Sequence, residues 1–280
     1  MERIKQAIEK AKTHREGHLV SLDSATALVA GRPALVEAVV SPVGADAAIH
    51  YRQTPTVELD EAQLENQRIV AHRKSHPASW GFDLLRTQVL QKMDENGWRT
   101  LAVTSPTMES GKTVVAINLA IAIAQQTNRT SLLVDLDLRR PRVASTLGLQ
   151  REVSLDQVLS GDARIEDAMV NPGIPRLVVL PTQQSIPNSA ELLGSSKVAA
   201  LMNELREKYA DRVVVVDLPP VLAADDVLAI LPRIDCVLLV VANGASTRKE
   251  IEEAMNRLSK SQLLGVVLNK DDAPTGNAYY

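Results

Sequence analysis

The chain has 280 residues, enough for one large α/β domain with an appendage or for two small domains. Apolar residues make up 45% of it and aromatic residues only 2%, so a core has to be built from aliphatic side chains. The formal net charge of −3 argues against nucleic acid as a partner, since proteins that bind nucleic acid usually carry a basic excess.

The cysteine content and the hydropathy both bear on the compartment. The single cysteine, Cys236, lies in an apolar run and permits no internal disulfide, which fits a reducing cytoplasm. We expect it to be a buried strand residue rather than a reactive thiol. No stretch reaches the roughly 18–20 apolar residues that a spanning helix needs, and residues 1–10 lack the apolar core of a signal peptide. We therefore expect a soluble, cytoplasmic protein.

Residues 1–77 differ in character from the rest and are expected to form an N-terminal helix and a partly disordered linker. Residues 2–12 predict a short helix with one weakly apolar stripe, which would either dock on its own domain or bind a partner or membrane surface. Residues 13–60 show no sustained period beyond one short strand at 36–41. Residues 60–71 are compatible with another helix.

Residues 78–270 predict a regular domain, which is followed by a flexible tail at 271–280. The predicted strands are 100–104, 131–136, 176–180, 212–217, 236–241 and 264–269. The predicted helices are 80–93, 112–126, 154–159, 165–170, 189–209, 223–231 and 248–259. Because the strand runs are continuously apolar, they fit strands buried on both faces of a parallel sheet. The fold class is therefore α/β, with a doubly wound and mostly parallel sheet.

The segment 104–113, TSPTMESGKT, follows a predicted strand and opens a predicted helix, which is the setting that a phosphate-binding loop requires. In such a loop, backbone N–H groups and the helix N-terminus converge on phosphate oxygens. Lys112 would reach the β- and γ-phosphates of ATP, and the Thr113 hydroxyl would bind Mg²⁺. The expected nucleotide contacts in this segment are Glu109, Ser110, Gly111, Lys112, Thr113 and Val114. The strict consensus fails, because Pro106 replaces its first glycine.

Carboxylates follow two of the predicted strands. Asp135 and Asp137 lie in LLVDLDLRRPR, and ligands of a doubly wound sheet bind at the carboxyl ends of its strands. Beside a phosphate loop, this pair is expected to order Mg²⁺ and the attacking hydroxyl or water rather than to form a solvated strand end. Asp217 ends the strand RVVVVD and is typical of the carboxylate that holds the Mg²⁺ water shell in P-loop enzymes. The alternative for Asp217 is a core strand that ends in a helix cap.

Two further features lie near the end of the sequence. Asn269 ends the last predicted strand, where it would either present its amide to the adenine edge or form a turn. Tyr279 and Tyr280, two of only four tyrosines, lie on a tail rich in polar and turn residues, where core tyrosines do not belong. A mobile tail that bears hydroxyls can enter an active site as a substrate. The alternative is an accidental aromatic tail.

Together these motifs resemble the bacterial tyrosine kinase (BY-kinase) family, whose members are autokinases that accompany capsule and exopolysaccharide export. The resemblance covers residues 79–280 and rests on the order of the nucleotide motifs and on the tyrosine tail. It is strongest to the single-chain members associated with exopolysaccharide and exosortase loci. The wider kinship is with MinD- and ParA-like P-loop ATPases.

The resemblance implies roles for the matching residues. The catalytic positions are Lys112, Asp135, Asp137 and Asp217, and the metal positions are Thr113, Asp135 and Asp217. Arg139 sits where the second motif carries its arginine and is expected to contact the nucleotide. One of the two aspartates after the second strand is expected to help activate the tyrosine hydroxyl. Tyr279 and Tyr280 would be the phosphoacceptors, in trans between the subunits of a homo-oligomeric ring. A membrane partner of the polysaccharide co-polymerase or chain-length-determinant type is also implied, and it would recruit the protein to the inner face of the membrane.

Departures from the family pattern keep other activities open. Residues 108–110 read Met-Glu-Ser where the family usually has Pro-Gly-Glu, and Glu109 brings a like charge toward the triphosphate unless it points outward. The subunit-contact helix usually begins Glu-x-Tyr/Phe-Arg, whereas residues 80–83 read Trp-Gly-Phe-Asp. Thr107 replaces the signature lysine of the MinD subgroup. The leading hypothesis is an ATP-dependent tyrosine autokinase. The alternatives are a catalytically weak, nucleotide-sensing regulatory subunit and a MinD/ParA-like ATPase.

Overall fold

The computed structural model describes residues 54–126, 128–207 and 211–271, all of which belong to one compact unit. The predicted helix at 2–12, the predicted strand at 36–41 and the tail that carries Tyr279 and Tyr280 lie outside the described residues. The domain boundaries placed at residues 77 and 270 stay predictions.

Strands and helices alternate along the described residues. The strands are β1 Thr100–Thr104, β2 Thr130–Asp135, β3 Leu177–Leu180, β4 Arg212–Asp217, β5 Cys236–Ala242 and β6 Leu263–Asn269. The helices are α1 Glu61–Asn66, α2 Ser79–Asn96, α3 Lys112–Ala124, α4 Val143–Leu147, α5 Leu155–Ser160, α6 Ile165–Ala168, α7 Ser189–Gly194, α8 Ser196–Glu207, α9 Asp226–Ile230 and α10 Arg248–Arg257. A 3₁₀ turn, Leu231–Arg233, follows α9. All six predicted strands are confirmed, with ends that differ by at most a residue.

The six strands form one sheet in the order β3-β2-β4-β1-β5-β6, and every pair of neighbours is parallel. Parallel strands need crossover connections, and helices supply most of them here. The predicted doubly wound α/β fold is therefore confirmed. Among the described residues, no helix has both the length and the hydropathy that a membrane crossing requires.

Successive strand residues pack into two apolar layers, one on each face of the sheet. In β4, Val213 and Val215 belong to the layer that contains α2 and α3, whereas Val214 and Val216 belong to the layer that contains α8 and α9. Because both faces are covered, every residue of β1, β4 and β5 is buried. The continuous apolar runs of the sequence therefore report burial on both sides.

Apart from helix ends that differ by up to three residues, three differences from the predicted helices stand out. The helix predicted at 189–209 is two helices, because α7 ends at Gly194 and Ser195 has an extended backbone. Helix α4 is not apparent in the sequence, since five residues are too few to show a helical period. Helix α1 covers only six residues of the segment 60–71.

The segment ahead of α2 is fastened to α3 by one buried amide. Asn118 Oδ1 accepts from the backbone N–H groups of Val70 and Ala71, at 2.8 and 2.9 Å. Its Nδ2 donates to the carbonyls of Arg68 and Val114, at 3.0 and 2.9 Å. Three of the four hydrogen bonds of this amide thus hold the segment against the helix that begins at the phosphate loop, and the fourth lies within that helix.

The thiol of Cys236 provides a test of the core. Its Sγ lies 3.7 Å from the carbonyl oxygen of Thr100, and burial, together with the charge of Asp235, raises the pKa of the thiol to about 12. We expect a thiol reagent at about pH 8 to label the native protein only through unfolding, because the thiolate is the reactive form. The measurement is the labelling rate in buffer and in urea, with Cys236→Ser as the blank. Equal rates in the two solvents would contradict the buried assignment.

Candidate functional site

The sheet topology brings three site segments to one edge. Strands β2, β4 and β1 are neighbours, and each enters its following loop at the carboxyl edge of the sheet. Asp135 and Asp217 are register partners at the ends of β2 and β4. After β1 comes the phosphate loop, residues 105–111, and Lys112 begins α3. The sequence motifs identify these three segments, and the strand order shows that they are adjacent.

Hydrogen bonds within the phosphate loop, and one from β6, stabilise its conformation. The hydroxyls of Ser105 and Ser110 both donate to the carbonyl of Thr107, at 2.7 and 3.0 Å. Asn269 Nδ2 donates to the carbonyl of Ser110 at 2.9 Å, so the end of β6 supports the loop. Gly111 has a φ of 86°, and a Cβ there would lie 2.1 Å from Asn269 Nδ2. The backbone conformation therefore favours glycine here, and any side chain would displace the amide of Asn269 from the loop.

The residues that depart from the usual motif lie on the outer side of this loop. Glu109 is exposed with a φ of 62°, and Met108 is 54% exposed. Met108 Sδ accepts from Arg140 Nη1 at 3.1 Å. The exposed position of Glu109 allows water to screen the like charge that the sequence places near a phosphate. Val114, which was expected to contact the nucleotide, packs its side chain against the core under α3.

The ammonium group of Lys112 lies among carboxylates. Its Nζ is 2.8 Å from Asp137 Oδ2 and 3.4 Å from Asp217 Oδ1. The Thr113 hydroxyl donates to Asp217 Oδ2 at 2.6 Å. Thus the structure brings together four residues that the sequence predicted for one site, from three separate segments.

The two aspartates that follow β2 have different surroundings. Asp135 accepts three backbone N–H groups, from Asp137 at 3.2 Å, Arg142 at 3.1 Å and Val143 at 3.0 Å. Its oxygens therefore organise the loop that follows β2. Asp137 instead directs one oxygen at Lys112. The sequence pattern alone does not separate these two roles.

Burial shapes the electrostatics of this cluster. Burial by itself lowers the pKa of Lys112, but the charges of Asp217 and Asp137 outweigh it and the pKa is raised overall. Burial raises the pKa of Asp217, and it raises the pKa of Asp135 well above its usual range, with the charge of Asp217 adding to the effect. Three buried carboxylates surround one buried ammonium group, so the cluster favours an added cation.

The donor set fits Mg²⁺ bound together with phosphate. Within the described ranges, no group of three or more His, Cys, Asp or Glu side chains is arranged to hold a metal ion by itself. Mg²⁺ characteristically takes one or two protein oxygens and completes its shell with phosphate oxygens and water. The Thr113 hydroxyl and the Asp217 carboxylate, 2.6 Å apart, offer such a partial set of ligands. Asp135, with three N–H groups on its oxygens, has less capacity left for a metal.

Arg139 contacts a carboxylate that the sequence analysis missed. Its Nε donates to both oxygens of Asp226, at 2.9 Å each, and this carboxylate also accepts from Ser189 Oγ. The feature of the sequence that points to this carboxylate is the pair Asp225-Asp226, shortly after the Pro-Pro of the loop that follows β4. A pairing between residues 87 positions apart cannot be read from one sequence.

Comparisons with known proteins agree on one family. The family described as CobQ/CobB/MinD/ParA nucleotide binding domain matches residues 101–279. Tyrosine-protein kinase YwqD of Bacillus subtilis is 32% identical over 190 residues, which cover 67% of this chain and 79% of YwqD. EpsB of Ralstonia nicotianae is 31% identical over 233 residues, or 79% of this chain, and this chain spans only 31% of EpsB. The solved kinase domain of the Escherichia coli tyrosine kinase Etk has a TM-score of 0.68 at 28% identity, covering 81% of this chain and 93% of that domain.

Gly111 allows a test of the loop geometry. We expect Gly111→Ala to weaken binding of a fluorescent ATP analogue with Mg²⁺ by about tenfold or more, equivalent to about 1.4 kcal/mol, because the added Cβ displaces Asn269 and the loop that it supports. Gly244→Ala is the matched control, since Gly244 has a similar φ of 71° but open space around it. Both variants carry the backbone strain, and only one carries the clash. Equal affinities in the two variants would show that the clash does not matter.

Proposed function

We propose a function from one premise: the chain belongs to the CobQ/CobB/MinD/ParA nucleotide-binding family and, within it, to the bacterial tyrosine kinases. The proposed activity is ATP-dependent protein tyrosine autophosphorylation. The observation that carries it is the placement of Lys112 Nζ between Asp137, at 2.8 Å, and Asp217, at 3.4 Å. This arrangement places the lysine proposed to bind phosphate beside the carboxylate proposed to act on a hydroxyl.

Each residue of the site has a distinct role in the proposed reaction. Lys112 binds the β- and γ-phosphates, while Thr113 and Asp217 hold Mg²⁺, which neutralises phosphate charge when it is bound. Asp137 accepts the proton of the attacking tyrosine hydroxyl. The tyrosine oxygen forms the new bond to the γ-phosphorus, and the bond from that phosphorus to the β–γ bridging oxygen breaks, which leaves ADP. Asp135 keeps the loop that carries Asp137 in place through its three N–H contacts.

The proposed acceptors are Tyr279 and Tyr280. Strand β6 ends at Asn269, whose amide contacts the phosphate loop, so the end of this strand lies beside the site. Tyr279 lies eight positions after Asp271, a length of chain that spans at most about 26–29 Å. That reach is compatible with transfer within one chain or to a neighbouring subunit of a homo-oligomer. We propose transfer in trans, after which the added negative charge would weaken the assembly by repulsion.

The proposed setting is regulation of exopolysaccharide or capsule biosynthesis and export. This setting is supported by the family to which the chain belongs and by the two tyrosines of the tail. The proposed location is the cytoplasm, with recruitment to the inner face of the membrane by a polysaccharide co-polymerase of the chain-length-determinant type.

A regulatory subunit that binds nucleotide without transferring phosphate is the second candidate. One observation favours it. Asp83, at the position where the family's contact helix usually carries an arginine, pairs within this chain with Lys74 at 2.6 Å and Arg86 at 2.7 Å. An internally paired acidic residue offers a different contact to a neighbouring subunit than an arginine would. A MinD/ParA-like ATPase is the remaining alternative.

Incubation with γ-labelled ATP and Mg²⁺ separates the candidates. We expect wild-type protein to gain phosphotyrosine and Lys112→Ala to gain none, because the lysine binds the transferred phosphate. We also expect the double variant Tyr279→Phe/Tyr280→Phe to lose the signal. The matched control is Tyr51→Phe/Tyr209→Phe, which removes the only other tyrosines and should keep it.

Other outcomes of this assay select the rival functions. Released phosphate without labelled protein would identify an ATPase. Nucleotide binding with neither product would identify a regulatory subunit. Label that persists in the tail double variant and disappears in the Tyr51/Tyr209 control would overturn the assignment of the acceptors.

A further inference from the structure

A buried carboxylate outside the phosphate site joins the loops that follow β2 and β4. Asp226, the first residue of α9, is fully buried. Arg139 donates to it through Nε, at 2.9 Å from each oxygen, and through Nη2, at 2.9 Å from Oδ2. Ser189 Oγ donates to its other oxygen, Oδ1. Three parts of the chain that are remote in sequence therefore meet at one carboxylate.

The neighbouring Asp225 shows that this pairing is specific to Asp226. Asp225 is 77% exposed, and Arg139 Nη2 is 3.8 Å from its carboxylate. An exposed pair of that kind contributes little to stability, because water screens the two charges. A buried ion pair, in contrast, is weak evidence for stability, because desolvation offsets the attraction. The burial of Asp226 therefore calls for an explanation in terms of what the pair positions.

On one side, the pair holds the loop that carries Asp137. Asp137 lies two residues before Arg139, and its Oδ2 is 2.8 Å from Lys112 Nζ. Its other oxygen accepts from the N–H of Arg140 at 3.1 Å, so this carboxylate is also held by the residue that follows Arg139. A displacement of Arg139 would therefore be passed directly to Asp137.

On the other side, the pair holds the segment that leads from Asp217 to Asp226. Val221 N donates to the carbonyl of Ser105 at 2.8 Å, and Leu222 N donates to the carbonyl of Pro106 at 3.2 Å. This segment is thus already attached to the phosphate loop. The contact between Arg139 and Asp226 adds the loop after β2 to the same rigid frame.

We propose that Asp226 is a positioning residue: by holding Arg139, it keeps the loop after β2 in the arrangement in which Asp137 faces Lys112 and the incoming hydroxyl. The proposal rests on the proposed function, since the position of Asp137 matters for phosphate transfer. Misplacement of a reacting group by about 1 Å costs about a hundredfold in rate. Nucleotide affinity, which depends on the phosphate loop, should change little.

The first test measures how firmly the loop after β2 is held. In Asp226→Asn we expect hydrogen exchange to speed up by about tenfold at the amides of Arg140, Arg142 and Val143, which donate to the carboxylates of Asp137 and Asp135. The amides of β1 should keep their wild-type rates, and Asp225→Asn, the matched control, should exchange like wild type throughout. Should Asp226→Asn fail to fold, Arg139→Gln removes the same contact from its half-exposed side and is read in the same way.

The second test separates positioning from stability. Under saturating ATP and Mg²⁺, Asp226→Asn should transfer phosphate to the tail at least about tenfold more slowly, with the KM for ATP within about threefold of wild type. The double variant with Arg139→Gln should be no slower than Arg139→Gln alone. Unchanged exchange in the loop, or faster exchange throughout the domain, would overturn the proposal. If wild-type protein transfers no phosphate, the proposed function fails, and the exchange measurement still decides whether Asp226 holds the loop.

Discussion

The rest of the site depends on the ion pairs that the ammonium group of Lys112 forms with the carboxylates of Asp137 and Asp217. Removing such charges from water costs several kcal/mol per ion, so the cluster needs close pairing and strong local support. Asp135 supplies much of that support, because it fixes three backbone N–H groups of the adjoining loop. Since carboxylates outnumber the ammonium group, the cluster is prepared for a ligand that brings a cation.

The strand order explains why this cluster can form. Strand β4 lies between β2 and β1, so a carboxylate at the end of β4 faces a loop on either side. The register sets Asp135 opposite Asp217, and β1 delivers the phosphate loop next to them. Asn269, at the end of the edge strand β6, reaches the same loop from the opposite direction. Loops from four parallel strands thus determine one site, as expected at the carboxyl edge of a doubly wound sheet.

Much of this arrangement is predictable from local sequence, and the remainder depends on tertiary contacts. Apolar runs buried on both faces predicted the strands, and the motifs placed Lys112, Thr113 and Asp217 correctly near one another. Helix α4 and the break at Ser195 were missed, because short helices lack a measurable period. The contact between Arg139 and Asp226 and three of the four hydrogen bonds of Asn118 join positions that are far apart in sequence. No local pattern distinguishes such polar residues from solvent-facing ones.

In the structure, the proposed functional groups of the site are paired with one another. Lys112 is paired with Asp137, and the Thr113 hydroxyl donates to Asp217. An anion alone would draw the lysine away and leave buried carboxylates without a counter-charge, whereas a divalent cation alone would leave the ammonium group among repelling charges. Mg²⁺ and a nucleoside triphosphate together would satisfy both halves, because the phosphates would pair with Lys112 in place of the carboxylates and the metal would pair with the carboxylates in place of the lysine. The same exchange would free Asp137 from its ion pair, so under the proposed function the carboxylate that accepts the hydroxyl proton would become available only when the phosphate donor is bound.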